Sequence, residues 1–358
     1  MRLYVLDKLI CPRCNHFPLV IKSMEEHEAV APTARTKPCA LYCAHEADWL
    51  RNIPYDPPCS SCLRRAVGVG ELVCSQCLSH YSISDGIPHL LADGLVRDWV
   101  IAEQSWWDKR YAQVRRDIDT IRPRRGLAGP RYYERATCLF APLKQRGVRT
   151  TALLEVGAGT AQYVAHLLPP GAGQYFYIGT DIAREALLLG AQLIPEGDFV
   201  QCEAGRMPFR KESFDTLLCF GVLHHLPCWQ SSLEQMIELL KPGAWLLFNE
   251  AIEKPRIFGG FLKKSLGTAI DSPHGGEIQF EALMSVLQRN GSVIMCGKKT
   301  TVLRVLLTWL LGWSLERSAF LTKCVLWLDK LFLRSIGRVI RRLGPAEALG
   351  IFEKRNRP

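Results

Sequence analysis

Between Thr151 and Glu250, short apolar runs alternate with segments whose apolar residues recur every three to four positions. The runs predict strands at Thr151–Val156, Tyr175–Thr180, Phe199–Cys202, Phe214–Phe220 and Ala244–Glu250. The periodic segments predict helices at Ala161–Leu168, Ala183–Leu193 and Ser231–Leu240, the first closed by Pro169-Pro170-Gly171 and the last by the turn Lys241-Pro242-Gly243. Gly291–Lys298 reads as a sixth strand and Ala348–Lys354 as a seventh. Strands alternating with helices imply a doubly wound α/β sheet.

At 358 residues the chain has room for more than this one sheet. Eight of its fourteen cysteines fall within the first 77 residues, and Met1–Ile10 contains Arg2, Asp7 and Lys8, so it has no apolar signal core. In a cytoplasmic setting clustered thiols point to metal more than to disulfides. Cys11-Pro-Arg-Cys14 and Cys74-Ser-Gln-Cys77 are two Cys-x2-Cys knuckles, the spacing that places four thiolates around a structural zinc in a segment too small for its own core. Between them Cys39, Cys43, Cys59 and Cys62 could form a second site, with His45 as a spare ligand, in a loop-like stretch rich in proline. An iron–sulfur cluster is the weaker reading, because nothing else in the chain suggests electron transfer.

The stretch Leu153-Leu-Glu-Val-Gly-Ala-Gly-Thr-Ala161 breaks a buried strand at a Gly-x-Gly turn, and Asp181 closes the next strand. In an α/β sheet this builds a nucleoside pocket: glycines admit the ligand close to the backbone, and the acid can bind a ribose diol. A third glycine, which nicotinamide enzymes would place near position 162, is replaced by Gln162. With MPF-x4-SFDTLLCFGVLHHL and LLKPGAWLLF, residues 151–251 resemble the class I S-adenosylmethionine-dependent methyltransferases, in the branch that includes small-molecule and quinone methylators. The resemblance implies a Rossmann-like seven-stranded sheet whose last strand is antiparallel. It implies that Gly157 and Gly159 border the methionyl part of the cofactor and that Glu155 lies near its amino group. Asp181 would take the ribose, Ile182 would flank the adenine, and Glu203 and Ala204 would lie near the adenine amine. Phe220 or Gly221 would end the fourth strand beside the reactive methyl. Ala161 and Glu203 depart from the family's usual glycine and aspartate.

Residues 1–92, through LDKLICPRC and ELVCSQCLSHYSISDGIPHLL, resemble the zinc-ribbon activator subunits of RNA and protein methyltransferases, with a Cys-rich insertion at 30–70. The plan is then a zinc-ribbon-like domain (1–92), a linker and helical cap (93–150), a methyltransferase core (151–299), a basic helical insertion (300–346) and a last strand with tail (347–358). In the cap, Trp99, Trp106, Trp107 and Tyr111 have helical spacing, suited either to covering the cofactor or to packing ribbon on sheet. Arg122 to Arg131 reads as a basic loop. His224 and His225 follow the fourth strand at the edge where ligands bind, and either is a candidate base; local packing or helix capping is the competing role.

Residues 298–358 hold thirteen basic against four acidic residues, so they carry +9 of the chain's net +10. From Phe320 onward apolar residues recur at helical spacing, with cations on the remaining surface, as in a helix lying in the boundary of an anionic bilayer. The longest uncharged run, Val305 to Leu315, is eleven residues, short of the roughly twenty needed to span. The expected function is therefore methyl transfer to a lipid-linked glycan, lipid or quinone-like acceptor by a cytoplasmic enzyme peripheral to the inner face of the membrane. Two alternatives carry different partners: an rRNA or tRNA methyltransferase using the zinc module on nucleic acid, and a non-catalytic scaffold.

Overall fold

The computed structural model describes residues 1–32, 37–57, 59–91, 97–115, 139–142, 152–167, 175–252, 278–300, 324, 327–328, 331 and 346–356. Strands β1 (Leu19–Glu28), β2 (Tyr42–Cys43), β3 (Asp48–Trp49), β4 (Arg65–Cys74), β5 (His80–Ser84) and β6 (Ile87–Pro88) belong to the N-terminal part, with helix α1 (Cys59–Arg64) between β3 and β4. Helix α2 (Asp98–Arg115) follows. Then come β7 (Ala152–Val156), α3 (Gln162–Leu167), β8 (Phe176–Asp181), α4 (Arg184–Leu193), β9 (Asp198–Gln201), β10 (Phe214–Phe220), α5 (Trp229–Leu239), β11 (Leu240–Ile252), α6 (Phe280–Asn290), β12 (Gly291–Thr300) and β13 (Ala346–Lys354).

Among the described residues, β7 to β13 form one sheet of order β12-β13-β11-β10-β7-β8-β9. Strands β7 to β11 pair in parallel, and β13 runs antiparallel between β11 and β12. The chain winds outward from β7 to β9, then returns to lay β10 on the other side of β7. That reversal is the switch point outside which such sheets open a crevice. The strands are apolar runs because helices cover both faces; α5, for example, buries Trp229, Leu233, Met236 and Ile237 on one stripe. The expected turn at Lys241-Pro242-Gly243 lies inside β11 as a bulge, where the register slips between Phe214 and Thr216 and Gly243 takes φ +71°.

Beyond Ile252 and beyond Thr300 the chain departs from one edge of the sheet, and it re-enters there. Ile252 bridges Ile278 and also pairs with Ala346, while Thr300 pairs with Ala346 as well. That edge is the carboxyl end of the parallel strands. Of the expected helical insertion, the described residues are, besides the strand ends Thr300 and Ala346, Cys324, Trp327, Leu328 and Leu331. All four are helical, and the last three are 61%, 44% and 39% exposed. The remainder of the insertion and the basic loop Arg122–Arg131 lie outside the described residues. Among the described residues no helix is long and apolar enough to cross a membrane.

The N-terminal sheet, order β1-β4-β5-β6, is docked onto the β9 side of the larger one. Tyr4 packs on Phe176 with ring centroids 5.1 Å apart, His89 bridges Gln201, and Leu9 bridges Phe209. Buried Arg2 meets Asp198 at 3.2 Å and donates to the carbonyls of Pro195 and Gly197. One apolar cluster runs from Leu3, Leu6 and Leu72 through to Leu154, Phe214 and Phe248. The expected division at residue 92 therefore separates segments of sequence that share a core.

Candidate functional site

The apolar residues of β7 carry the chain to the carboxyl edge, where it must turn sharply. Gly157 and Gly159 take φ +63° and +54°, which glycine adopts without steric cost. Ala161 also lies in the left-handed region, at φ +56°, although it carries a methyl. The turn is tied to the next strand. The Ala158 amide donates to the Thr180 carbonyl, and the Gly159 amide donates to Asp181 Oδ2, both at 2.8 Å. Asp181 Oδ1 accepts from the Ala183 amide at 2.9 Å. Burial pushes the Asp181 carboxyl up to about 6, against the opposing pull of these amides.

A cavity of about 480 Å³ opens over this turn. Gly157, Gly159, Asp181, Ile182, Glu203, Ala204, Phe220, His224 and His225 all line it, so the structure brings together nearly every expected cofactor residue. Glu155 is the exception: it does not line the cavity. It is buried near the end of β7, where it accepts from the Tyr177 hydroxyl at 2.6 Å. Its carboxyl is pushed up to about 8, mainly by burial.

Gly157 has a second role. A Cβ there would stand 2.3 Å from Val222 Cγ2, so the missing side chain makes room for the turn after β10. A Cβ on Gly159 would come 2.8 Å from the hydroxyl of Tyr111 on α2. That helix borders the cavity with Trp99, Glu103, Trp107 and Tyr111; Trp99 also packs on the core shared with the N-terminal sheet, and Trp106 does not line the cavity. Trp107 and Tyr111 stack with centroids 5.7 Å apart.

Each histidine faces a buried carboxylate. His224 Nδ1 lies 3.1 Å from Glu250 Oε2, while Glu250 Oε1 accepts the amides of Val222 and Leu223 at 2.9 and 3.1 Å. His225 Nδ1 lies 3.4 Å from Glu103 Oε1, which also accepts from Trp107 Nε1 at 3.0 Å. A carboxylate at Nδ1 favours the tautomer protonated there and leaves Nε2 as the basic nitrogen. The pair does not cap α5, whose N-cap is Cys228. Asn249, at the end of β11, also lines the cavity, and its buried Oδ1 has no hydrogen-bond partner among the described residues. Sequence reasoning missed Glu103, Asn249 and Glu250. Asn249 and Glu250 had a signal, as polar residues closing a buried strand at the ligand edge. Glu103 had none.

In the N-terminal sheet the sulfurs of Cys11, Cys14, Cys74 and Cys77 all lie within 4.8 Å of one another. Cys11–Cys77 and Cys14–Cys74 are each 3.5 Å apart. A tetrahedral zinc with Zn–S of about 2.3 Å needs sulfurs about 3.8 Å apart, so the quartet fits. The two knuckles repeat one backbone shape. Asn15 and Leu78, each just after the second cysteine, take φ +61° and +57°, and each donates its amide to the carbonyl of the first cysteine. A leucine held in that conformation costs about 1 kcal/mol or more.

A family profile described as "Methyltransferase domain" matches residues 154–248, the stretch that builds the cavity. A phthiotriol/phenolphthiotriol dimycocerosates methyltransferase of Mycobacterium ulcerans is 32% identical over 103 residues, which are 27% of this chain and 36% of that protein. The demethylmenaquinone methyltransferase of Bacillus velezensis is 28% identical over 111 residues, 30% of this chain and 47% of that protein. The chain spans less than half the length of either curated relative. The solved structure of Haemonchus contortus phosphoethanolamine N-methyltransferase 2 with S-adenosyl-L-methionine aligns at a TM-score of 0.45 and 14% identity, covering 78% of this chain and 64% of that one.

Proposed function

We propose that this protein is an S-adenosylmethionine-dependent methyltransferase whose acceptor is a lipid, lipid-linked glycan or quinone-like molecule taken from an anionic membrane surface. The observation that carries the first half is the convergence of Gly157, Gly159, Asp181, Ile182, Glu203 and Phe220 on one cavity at the switch point. Asp181 would hold the ribose hydroxyls, Ile182 and Ala204 would border the adenine, and Glu203 would accept from its amine. The bound cofactor supplies an activated methyl on a sulfonium, so alignment of the acceptor provides much of the acceleration. His224, oriented by Glu250, accepts the proton of an acceptor hydroxyl on Nε2, and His225 with Glu103 offers a second such pair. The unpartnered Asn249 Oδ1 is placed to hold a donor group of the acceptor or cofactor.

Three observations support the acceptor class. The relatives above are named for a phthiotriol lipid and for demethylmenaquinone. The basic, apolar segment of residues 301–345 leaves and rejoins the sheet at the cavity's edge. Its described residues Trp327, Leu328 and Leu331 expose apolar side chains at helical spacing. The N-terminal quartet would hold a structural zinc through Cys11, Cys14, Cys74 and Cys77.

Calorimetry with S-adenosylmethionine tests the cofactor reading, which falls if no binding heat is seen with the folded chain. Co-sedimentation with phosphatidylglycerol vesicles tests the acceptor side, with Trp327→Glu expected to weaken binding. Equal recovery with phosphatidylglycerol and phosphatidylcholine vesicles would remove the anionic surface, and no recovery with either would remove the membrane; both leave the methyltransferase reading standing.

A further inference from the structure

Residues 37–64 pose a stability problem of their own. Their regular structure is a hairpin of two two-residue strands, a turn of 3-10 helix and the six-residue α1. Leu41 and Tyr55 are exposed; Cys62 and Leu63 of α1 reach the shared core, and the hairpin joins a small aromatic group of Phe17, Tyr42 and Trp49. Elements this short do not hold position without a staple.

Four thiols from three separate elements line one closed space here. Cys39 precedes β2, Cys43 ends it, and Cys59 and Cys62 stand one turn apart on the same side of α1. They border a cavity of about 20 Å³, about the room of one water-sized sphere. None of the four is in a disulfide. Their sulfurs do not form a group closed within 4.8 Å as the first quartet does. Zinc–sulfur bonds of about 2.3 Å would draw the four sulfurs closer together around the ion.

Two ammonium groups stand near this space. Zinc held by four thiolates leaves about two negative charges, which a poorly solvated site must balance. The ammonium of Lys8 is buried beside this segment, 3.5 Å from the Pro38 carbonyl and 3.8 Å from Asp7, and Lys37, which pairs with Asp56, borders the cavity itself. The neighbouring Asp7 carboxylate is occupied by the amides of Ala40, Leu41 and Tyr42. His45 borders the cavity too, but its Nδ1 lies 3.1 Å from an Arg65 nitrogen and its Nε2 3.8 Å from Glu46.

We infer that Cys39, Cys43, Cys59 and Cys62 are the ligands of a second structural zinc, which staples the hairpin to α1 and hence to the shared core. His45 stands outside the ligand set. The inference does not rest on the methyltransferase reading.

The test is the zinc content of the full chain, purified with reductant and measured by elemental analysis. Two zinc ions per chain are expected. Cys59→Ser with Cys62→Ser should halve this, and His45→Ala should leave it at two. In the cobalt-substituted wild type the thiolate-to-cobalt absorption should report two four-sulfur sites, and half that intensity in the double serine variant. One zinc per folded wild-type chain overturns the proposal. So does a double variant that retains two, a visible iron–sulfur spectrum, or a disulfide among these four cysteines after alkylation and mass spectrometry.

Discussion

Gly157→Ala is the most informative single perturbation of the cavity, because the structure divides its cost into two parts. The residue sits at φ +63°, where an alanine costs about 1–2 kcal/mol. Its new Cβ would meet Val222 Cγ2 at 2.3 Å, more than 1 Å inside ordinary contact, and such overpacking costs about 1–3 kcal/mol. Val222 cannot retreat freely, since its amide is held by Glu250 at 2.9 Å and its turn carries His224. The single variant should therefore lose about 2–5 kcal/mol and bind S-adenosylmethionine more weakly. Val222→Ala removes both γ carbons and leaves Val222 Cβ at 3.4 Å from the new methyl, which is tolerable. In the double variant the clash disappears and only the backbone strain remains. Urea unfolding of the four proteins, followed by circular dichroism, should show a compensating coupling of about 1–3 kcal/mol, with cofactor affinity recovering in calorimetry. If the two losses add within about 0.5 kcal/mol, Val222 is not what Gly157 accommodates and the reasoning fails.

Four other outcomes are expected. Glu155, pushed up to about 8 by burial, binds a proton more tightly folded than unfolded, so its ionisation destabilises the fold as pH rises from about 4 through about 8. Glu155→Gln should therefore gain on the wild type in urea midpoint between pH 5 and 9, and a constant difference would contradict the assignment. Asp181→Asn should weaken S-adenosylmethionine binding by about ten- to a hundredfold, the loss of one charge-assisted hydrogen bond, and wild-type affinity should decline as pH drops below about 6. Glu250→Leu leaves the Val222 and Leu223 amides without their acceptor and should cost about 2–5 kcal/mol. Glu250→Gln, which keeps one carbonyl oxygen, should cost less than half as much by the same unfolding assay. Stripping zinc with a chelator should raise hydrogen exchange at Leu3–Leu9, because the quartet braces the segment that packs on Phe176; unchanged protection there would argue against a bound metal.

The parallel sheet was legible because a strand buried on both faces must be a short apolar run, and those runs lie where strands formed. The Gly-x-Gly turn and Asp181 were legible for a related reason: backbone that passes a ligand closely restricts residue type locally. That Glu155 is buried against Tyr177 and not at the cavity was not legible, because period two says only that neighbours face opposite ways, not what each face meets. The Lys241–Gly243 turn was read as the end of an element, whereas pairing with β10 draws those residues into β11 as a bulge.

Local order along the chain thus settles the element types, the Gly-x-Gly turn at the cavity, and the first cysteine quartet, whose members come as two adjacent pairs. Folding alone settles the partners. His224 meets Glu250 26 residues away, His225 meets Glu103 from α2, and Arg2 meets Asp198 across the interface of the two sheets. Such contacts leave no periodic trace, since each joins single residues through space, and the burial that strengthens them exists only once the core has closed.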